Sequence, residues 1–182
     1  MNKTISIETE RLILRQFSTD DANDMFEWLS SDNVTKYLTF PTYKTIEEVY
    51  DRLDHLLDKY KNDDDSYDWC IELKEENKAI GNISCVNIDY NINCARIGYC
   101  LNEKYWSQGF MSEALEAVIN YLLFNQNFNR IESSHSICNP ASGKVMEKCN
   151  MQKEGLLRSA AKCNYGITDK VIYSILKSDL KK

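Results

Sequence analysis

The chain is poor in the residues that break or staple a fold. Two prolines and six glycines among 182 residues exclude collagen-like and low-complexity architectures. No Pro/Gly-rich stretch marks a linker, so a single domain over residues 1–182 is expected. Long apolar runs are missing too: the longest, around Ala117–Phe124, is interrupted by Asn120 and is far too short to span a bilayer. The opening residues Met1 to Glu8 contain no apolar h-region, so neither a signal peptide nor membrane attachment is expected, and the chain reads as cytoplasmic. Histidine is scarce. His55 and His135 fall on different expected elements, and the seven cysteines contain no C-x-x-C pair. No metal site is therefore expected, and the thiols read as reduced packing groups. Positive charge is in deficit, with 22 Lys plus Arg against 28 Asp plus Glu and a net charge of −6. That balance repels phosphate backbones and argues against a nucleic-acid partner.

What is present is a clear alternation of elements. A first strand is expected over Ile5–Arg15, then a helix from about Asp20 to Leu29 capped by Ser18 or Thr19. A second helix opens with the capping box Thr45-x-x-Glu48, carries Val49, Leu53, Leu56 and Tyr60 at helical spacing, and ends in Asn62-Asp63-Asp64-Asp65. Strands follow over Tyr67–Leu73, Ala79–Ile88 and Cys94–Leu101. After the loop Asn102–Phe110 come a helix from Ser112 to Asn125, a strand Arg130–Ser136 and a helix Pro140–Cys149. Glu154–Ser159 and Lys170–Leu176 read as the last strands. This order gives an α+β domain with a mixed sheet, in which 94–101 and 130–136 form a parallel pair joined by a helical crossover.

Two places carry chemistry. Tyr105-Trp106-Ser107-Gln108-Gly109-Phe110-Met111-Ser112-Glu113-Ala114 joins a strand to a helix N-terminus, where unpaired N–H groups and the helix dipole suit a phosphate. It is neither a P-loop nor G-x-G-x-x-G. Asn139-Pro140-Ala141-Ser142 opens the next helix. Both lie at the C-terminal ends of the expected parallel strands, where open sheets place ligands.

At these residues the chain resembles a known family. Glu8-Thr9-Glu10-Arg11-Leu12-Ile13-Leu14-Arg15 is similar to the Thr-x-Arg-Leu-x-Leu-Arg opening of the ribosomal-protein N-terminal (alanine/serine) acetyltransferases of the GNAT superfamily. Ile97 to Leu101 with Tyr105 to Ala114 resembles that group's acetyl-CoA loop, and Asn139-x-x-Ser142, Glu147-Lys148, Glu154-Gly155, Asp169 and Tyr173-Ser174 match its later motifs.

The resemblance implies a GNAT fold: a twisted, mostly antiparallel sheet with a splayed parallel pair. It implies acetyl-CoA as co-substrate, without a metal. Pantetheine would pair with main chain near Cys100, Leu101 and Asn102, and the pyrophosphate would sit on the amides of Gln108, Gly109, Phe110, Met111 and Ser112. The N–H of Cys100 or a neighbour would polarise the thioester carbonyl. Asn139 would hold the pantetheine arm or the amine, Ser142 would protonate the departing thiolate, and Lys148, or Lys144, could approach a phosphate.

Direct transfer to a primary amine is implied, with a ribosomal or other protein N-terminus as favoured acceptor and a monomer or homodimer as the working form. A small cationic amine, such as a polyamine or aminoglycoside, is a second acceptor class. A CoA-binding module without catalysis is the non-enzyme alternative.

The chain departs from the pattern at Trp106, Met111 and Asn150-Met151, and at Ala161, where relatives can carry a glutamate base. Glu132, Ser134, His135, Asp169 and Glu10 are the substitutes the sequence offers. Glu132 and Ser134 are expected on the cofactor side of their strand and His135 on the other. Substrate contacts are expected from a helical segment Trp28–Tyr43.

Overall fold

The computed structural model describes residues 4–62 and 66–180. Among them lies one eight-stranded mixed sheet flanked by five α-helices. The chain runs β1 (Ile7–Glu8), β2 (Leu12–Arg15), α1 (Ala22–Leu29), α2 (Asp32–Thr35), α3 (Ile46–Asn62), β3 (Asp68–Leu73) and β4 (Lys78–Asp89). It continues β5 (Cys94–Leu101), α4 (Phe110–Asn120), β6 (Arg130–Ser136), α5 (Pro140–Lys148), β7 (Gln152–Cys163) and β8 (Gly166–Leu176). The strand order is β1-β2-β3-β4-β5-β6-β8-β7. Every neighbouring pair is antiparallel except β5–β6.

Apolar periodicity explains the layers. α4 turns Ala114, Leu115, Val118 and Ile119 onto Ile97, Ile131 and Ile175, and α5 adds Met146. On the other face α1 and α3 bury Met25, Trp28, Val49 and Leu53 against Cys70 and Ala79. Each fully buried Leu, Ile or Val of this kind stabilises the fold by roughly 1.5–3 kcal/mol.

The expected elements at the centre of the sheet match closely, whereas several at its margins need correction. Ile5–Arg15 is not one strand. The Thr9 N–H donates to the Leu12 carbonyl, and the segment doubles back so that Ile7 faces Leu14. The helix expected from Ser112 starts at Phe110, because Gly109 takes a left-handed conformation (φ 86°) as its N-cap. Its last turn, Tyr121–Asn125, widens to π geometry. Trp28–Tyr43 is not continuously helical: α1 ends at Leu29, and α2 covers only four residues. Asp63, Asp64 and Asp65, expected to end α3, lie outside the described residues, as do Met1 to Lys3.

The largest correction concerns the last two strands. They run to Cys163 and start from Gly166, forming a long hairpin where a loop is expected. Its outer half buries only Thr168 and so carries no apolar alternation. Backbone pairing holds it, with a register shift between Leu157 and Ala161 around Ser159 (φ 52°).

Candidate active site

β5 and β6 pair only from Cys94↔Arg130 to Ile97↔Ser133. Beyond that point β5 stays with β4 and β6 stays with β8, so the two strands part. The Ser133 hydroxyl closes the apex by donating to the Ile97 carbonyl at 2.9 Å. The gap opens into a cavity of about 810 Å³, within the range of small-molecule sites.

One wall is the loop into α4. Gly109, Phe110, Met111 and Ser112 line the cavity. The first intrahelical donor is the Glu113 N–H, which reaches the Gly109 carbonyl. The three amides before it therefore have no partner within the helix. Two left-handed residues, Ser107 (φ 62°) and Gly109, shape this turn.

The β1–β2 turn clamps the same loop from behind. Glu113 accepts from the Thr9 hydroxyl at 2.6 Å, from the Arg11 N–H at 2.8 Å and from Arg11 Nε at 2.7 Å, while Arg11 Nη1 donates to the Gln108 carbonyl at 3.0 Å. Partial burial raises the Glu113 carboxyl, but these donors outweigh it and hold the group below the usual carboxylate range. The clamp gives physical content to the Thr9-x-Arg11 motif.

The opposite wall is β6 with the first turn of α5. Asn139 caps α5 by accepting from the Ser142 N–H, at a long 3.4 Å, and it lines the cavity beside Ser142. Tyr99 reaches across the gap from β5. Its hydroxyl donates to the Ser142 carbonyl at 2.9 Å and shares a second hydrogen bond of 2.9 Å with the Ser142 hydroxyl. Burial pushes the Tyr99 phenol above its usual value, so it stays protonated. Tyr99 is the functional candidate that the sequence hides: it reads there as one more apolar position of a strand.

His135 also lines the cavity, a correction to the expectation that it faces away. Its Nδ1 stands 2.7 Å from the Ser136 carbonyl, which can only accept. Nδ1 therefore carries a proton. Nε2 is buried without a partner, and a Cβ on Gly143 would stand 2.7 Å from it.

Other expected residues are placed differently. Asn102 is buried and committed to the fold. Its N–H donates to the Ile80 carbonyl at 2.8 Å, its amide group bonds Glu27, and its oxygen caps the Lys104 N–H. It does not line the cavity, and neither does Gln108, whose side chain turns back to the Lys104 carbonyl. Cys100 and Leu101 line it. By strand alternation the N–H of Cys100 points the same way as that of Asn102, toward β4, so the amides facing the gap are those of Tyr99 and Leu101. The Leu101 carbonyl is engaged by Trp106 Nε1 at 2.8 Å. Lys144 and Lys148 lie along the α5 wall.

None of the expected carboxylate bases reaches the cavity. Glu132 pairs with Arg130 at 2.8 Å and Arg96 at 3.0 Å. Asp169 accepts from the Ser159 N–H at 2.9 Å, and Glu10 is exposed outside it. Ala161 does line it, and no Asp or Glu does.

A strap runs beside the cavity. The Asn164 N–H donates to the Leu38 carbonyl at 3.1 Å and the Tyr165 N–H to the Lys36 carbonyl at 2.9 Å. Asn164 Nδ2 adds bonds to the Thr35 and Phe40 carbonyls. The tip of the β7–β8 hairpin is thereby tied to the segment after α2.

Comparison with known proteins gives the same picture. The family model described as an acetyltransferase (GNAT) domain matches residues 11–152. An uncharacterized N-acetyltransferase p20 of Bacillus licheniformis is 31% identical over 174 residues, covering 96% of this chain and 97% of that protein. The crystal structure of a GNAT-family acetyltransferase from Bacillus anthracis superposes with a TM-score of 0.83 at 26% identity, over 96% of this chain and 99% of the other. A ribosomal L7/L12 α-N-protein acetyltransferase in complex with coenzyme A shares the fold, with a TM-score of 0.83 at 21% identity over 94% and 98% of the two chains.

Proposed function

The chain belongs to the GNAT acetyltransferase family, and from that premise we infer that residues 1–182 act as one domain moving the acetyl group of acetyl-CoA directly onto a peptide or protein N-terminal α-amine. The observation that carries the choice of acceptor is the cavity lining, which contains no carboxylate. A lysine side chain, with a reference pKa of about 10.4, costs roughly 3–4 kcal/mol more to deprotonate at neutral pH than an α-amine at about 7.7–8.0. A site without a strong base therefore suits the α-amine. The same lining speaks against a polyamine, which needs anions around it.

The residues fit the thioester carrier. The free amides of Phe110, Met111 and Ser112, at a helix N-terminus held open by Gly109, make a diphosphate seat. Lys144 and Lys148 stand beside it for phosphate charge. When bound there, acetyl-CoA supplies an acetyl group already activated as a thioester. The Leu101 or Tyr99 amide, rather than that of Cys100, offers a hydrogen bond to a carbonyl in the gap. Ser142 holds the proton that a departing thiolate takes, the proton shed by the acylated amine replaces it, and Tyr99 keeps the Ser142 hydroxyl in place. Cys100 is no rival nucleophile, since burial pushes its thiol up to about 12.

Thiol release from acetyl-CoA, followed across peptides with a free α-amine, Nα-blocked lysine peptides and spermidine, tests this reading. Turnover confined to the first set is expected. Turnover only with spermidine, or coenzyme A binding without turnover on any acceptor, would overturn it.

A further inference from the structure

We propose that the acceptor end of this cavity is an anion subsite that selects N-terminal peptides with acidic side chains in their first few positions. The proposal rests on the α-amine reading above and narrows it. The protein carries a net charge of −6, yet its cavity is lined by six cations, Lys36, Arg52, Lys144, Lys148, Lys162 and Lys170, and by no carboxylate. Among the described residues none of the six has a salt-bridge partner, whereas Arg11, Arg15, Arg96 and Arg130 each hold a carboxylate.

The six divide by position. Lys144 and Lys148 belong to α5, in the same layer as α4, and so lie with the diphosphate seat. Arg52 and Lys36 come from the opposite face, from α3 and the segment after α2, Lys162 comes from the β7 arm that reaches the same place, and Lys170 lies on β8 opposite Ser136. Arg52 and Lys36 are positioned by aromatics rather than by anions. Arg52 Cζ stands 5.0 Å from the Phe40 ring centre, and Lys36 Nζ stands 5.0 Å from that of Tyr165 and 5.3 Å from that of Tyr37. Cation–π contacts hold a cation without neutralising it.

Lys36, Arg52 and Lys170 are half-buried and Lys144, Lys148 and Lys162 exposed; half-buried like charges that converge on a cavity repel each other unless an anion joins them. A guanidinium with its donor fork unmatched is shaped for a carboxylate. An extended peptide advances about 3.3–3.6 Å per residue, so side chains of its second and third residues fall within one side-chain length of the amine. A free amino acid could present the same carboxylate chemistry, and the test separates the two sources.

With saturating acetyl-CoA, kcat/KM is measured for three peptides that share the same first residue and carry Glu-Glu, Gln-Gln or Lys-Lys at the next two positions. Free glutamate and alanine are run alongside. We expect the Glu-Glu peptide to exceed the Gln-Gln peptide at least tenfold and the Lys-Lys peptide further still. Arg52→Gln should narrow the Glu/Gln ratio to less than threefold, and Arg52→Lys should restore part of it, with melting temperatures confirming that both variants fold. Equal kcat/KM for all three peptides would overturn the anion subsite while leaving the α-amine acceptor standing. Free amino acids outperforming every peptide would overturn the peptide as occupant. Failure to acetylate any peptide would remove the acceptor reading and this narrowing with it.

Discussion

Ser142, in the first turn of α5, and Tyr99, on β5, face each other across the gap, and two 2.9 Å hydrogen bonds join them. A shared proton between two hydroxyls makes a donor whose loss shows in turnover. Ser142→Ala should lower kcat by about 10²–10³, in line with general-acid roles, while leaving acetyl-CoA affinity within about threefold. Tyr99→Phe should fall between this variant and the parent. Equal losses in affinity and turnover would show that the pair only shapes the pocket.

Ser142 and Asn139 are legible in the sequence because a helix opening after a strand is a local pattern. Tyr99 is not, since its partner lies 43 positions away and its own surroundings read as core. Asn102 shows the reverse failure. It occupies the right place in the motif, but Ile80 and Glu27, far off in sequence, absorb its polar groups. Arg52 left a faint trace: it sits three residues after Val49 and four before Leu56, at the edge of a buried stripe, where a cation calls for a reason.

Among the elements, β5, α4 and β6 are readable because each carries apolar periodicity bounded by turn residues. The β7–β8 hairpin is not, since backbone pairing and a bulge build its outer half. Its inner half is anchored by Val171, Tyr173 and Ile175 in the core and by one ionic cluster. Arg130 grips Glu154, and the Ser174 hydroxyl donates to the same carboxylate at 2.6 Å. These contacts hold the Glu154 carboxyl down at about 2 against a usual 4.5. A carboxyl lowered by folding adds stability that is fully present above pH 4.5 or so and is lost as pH falls toward 2. Glu154 is 41% exposed, so solvent screening limits the gain to about 1 kcal/mol or less. Glu154→Gln should therefore lower stability at pH 7 by up to about 1 kcal/mol and flatten the acid limb between about pH 4.5 and 2, so that variant and parent converge at the acid end. An unaltered acid limb in urea titrations would show that the pair contributes nothing.

For the molecule as a whole, composition gives the wrong sign for the site. A net charge of −6 is a sum over the whole chain, whereas folding lines one cavity with six cations and no carboxylate, and net charge carries no information about that sorting. The consequence is measurable without catalysis. A ligand present at a hundred times its Kd stabilises the native state by about 2.7 kcal/mol. For a chain of this size each kcal/mol raises Tm by roughly 2–4 °C. Coenzyme A at such a concentration should raise Tm by about 5–10 °C, and an unchanged melting curve would remove the diphosphate seat.

The strap between Asn164-Tyr165 and residues 36–40 has a consequence of another kind. A bridge over an entrance sorts visitors by shape before any chemistry begins. On the α-amine reading, a bulky, rigid partner is kept from bringing a side chain from the middle of its surface beneath that span, whereas a loose chain end can be fed through like thread through a needle's eye.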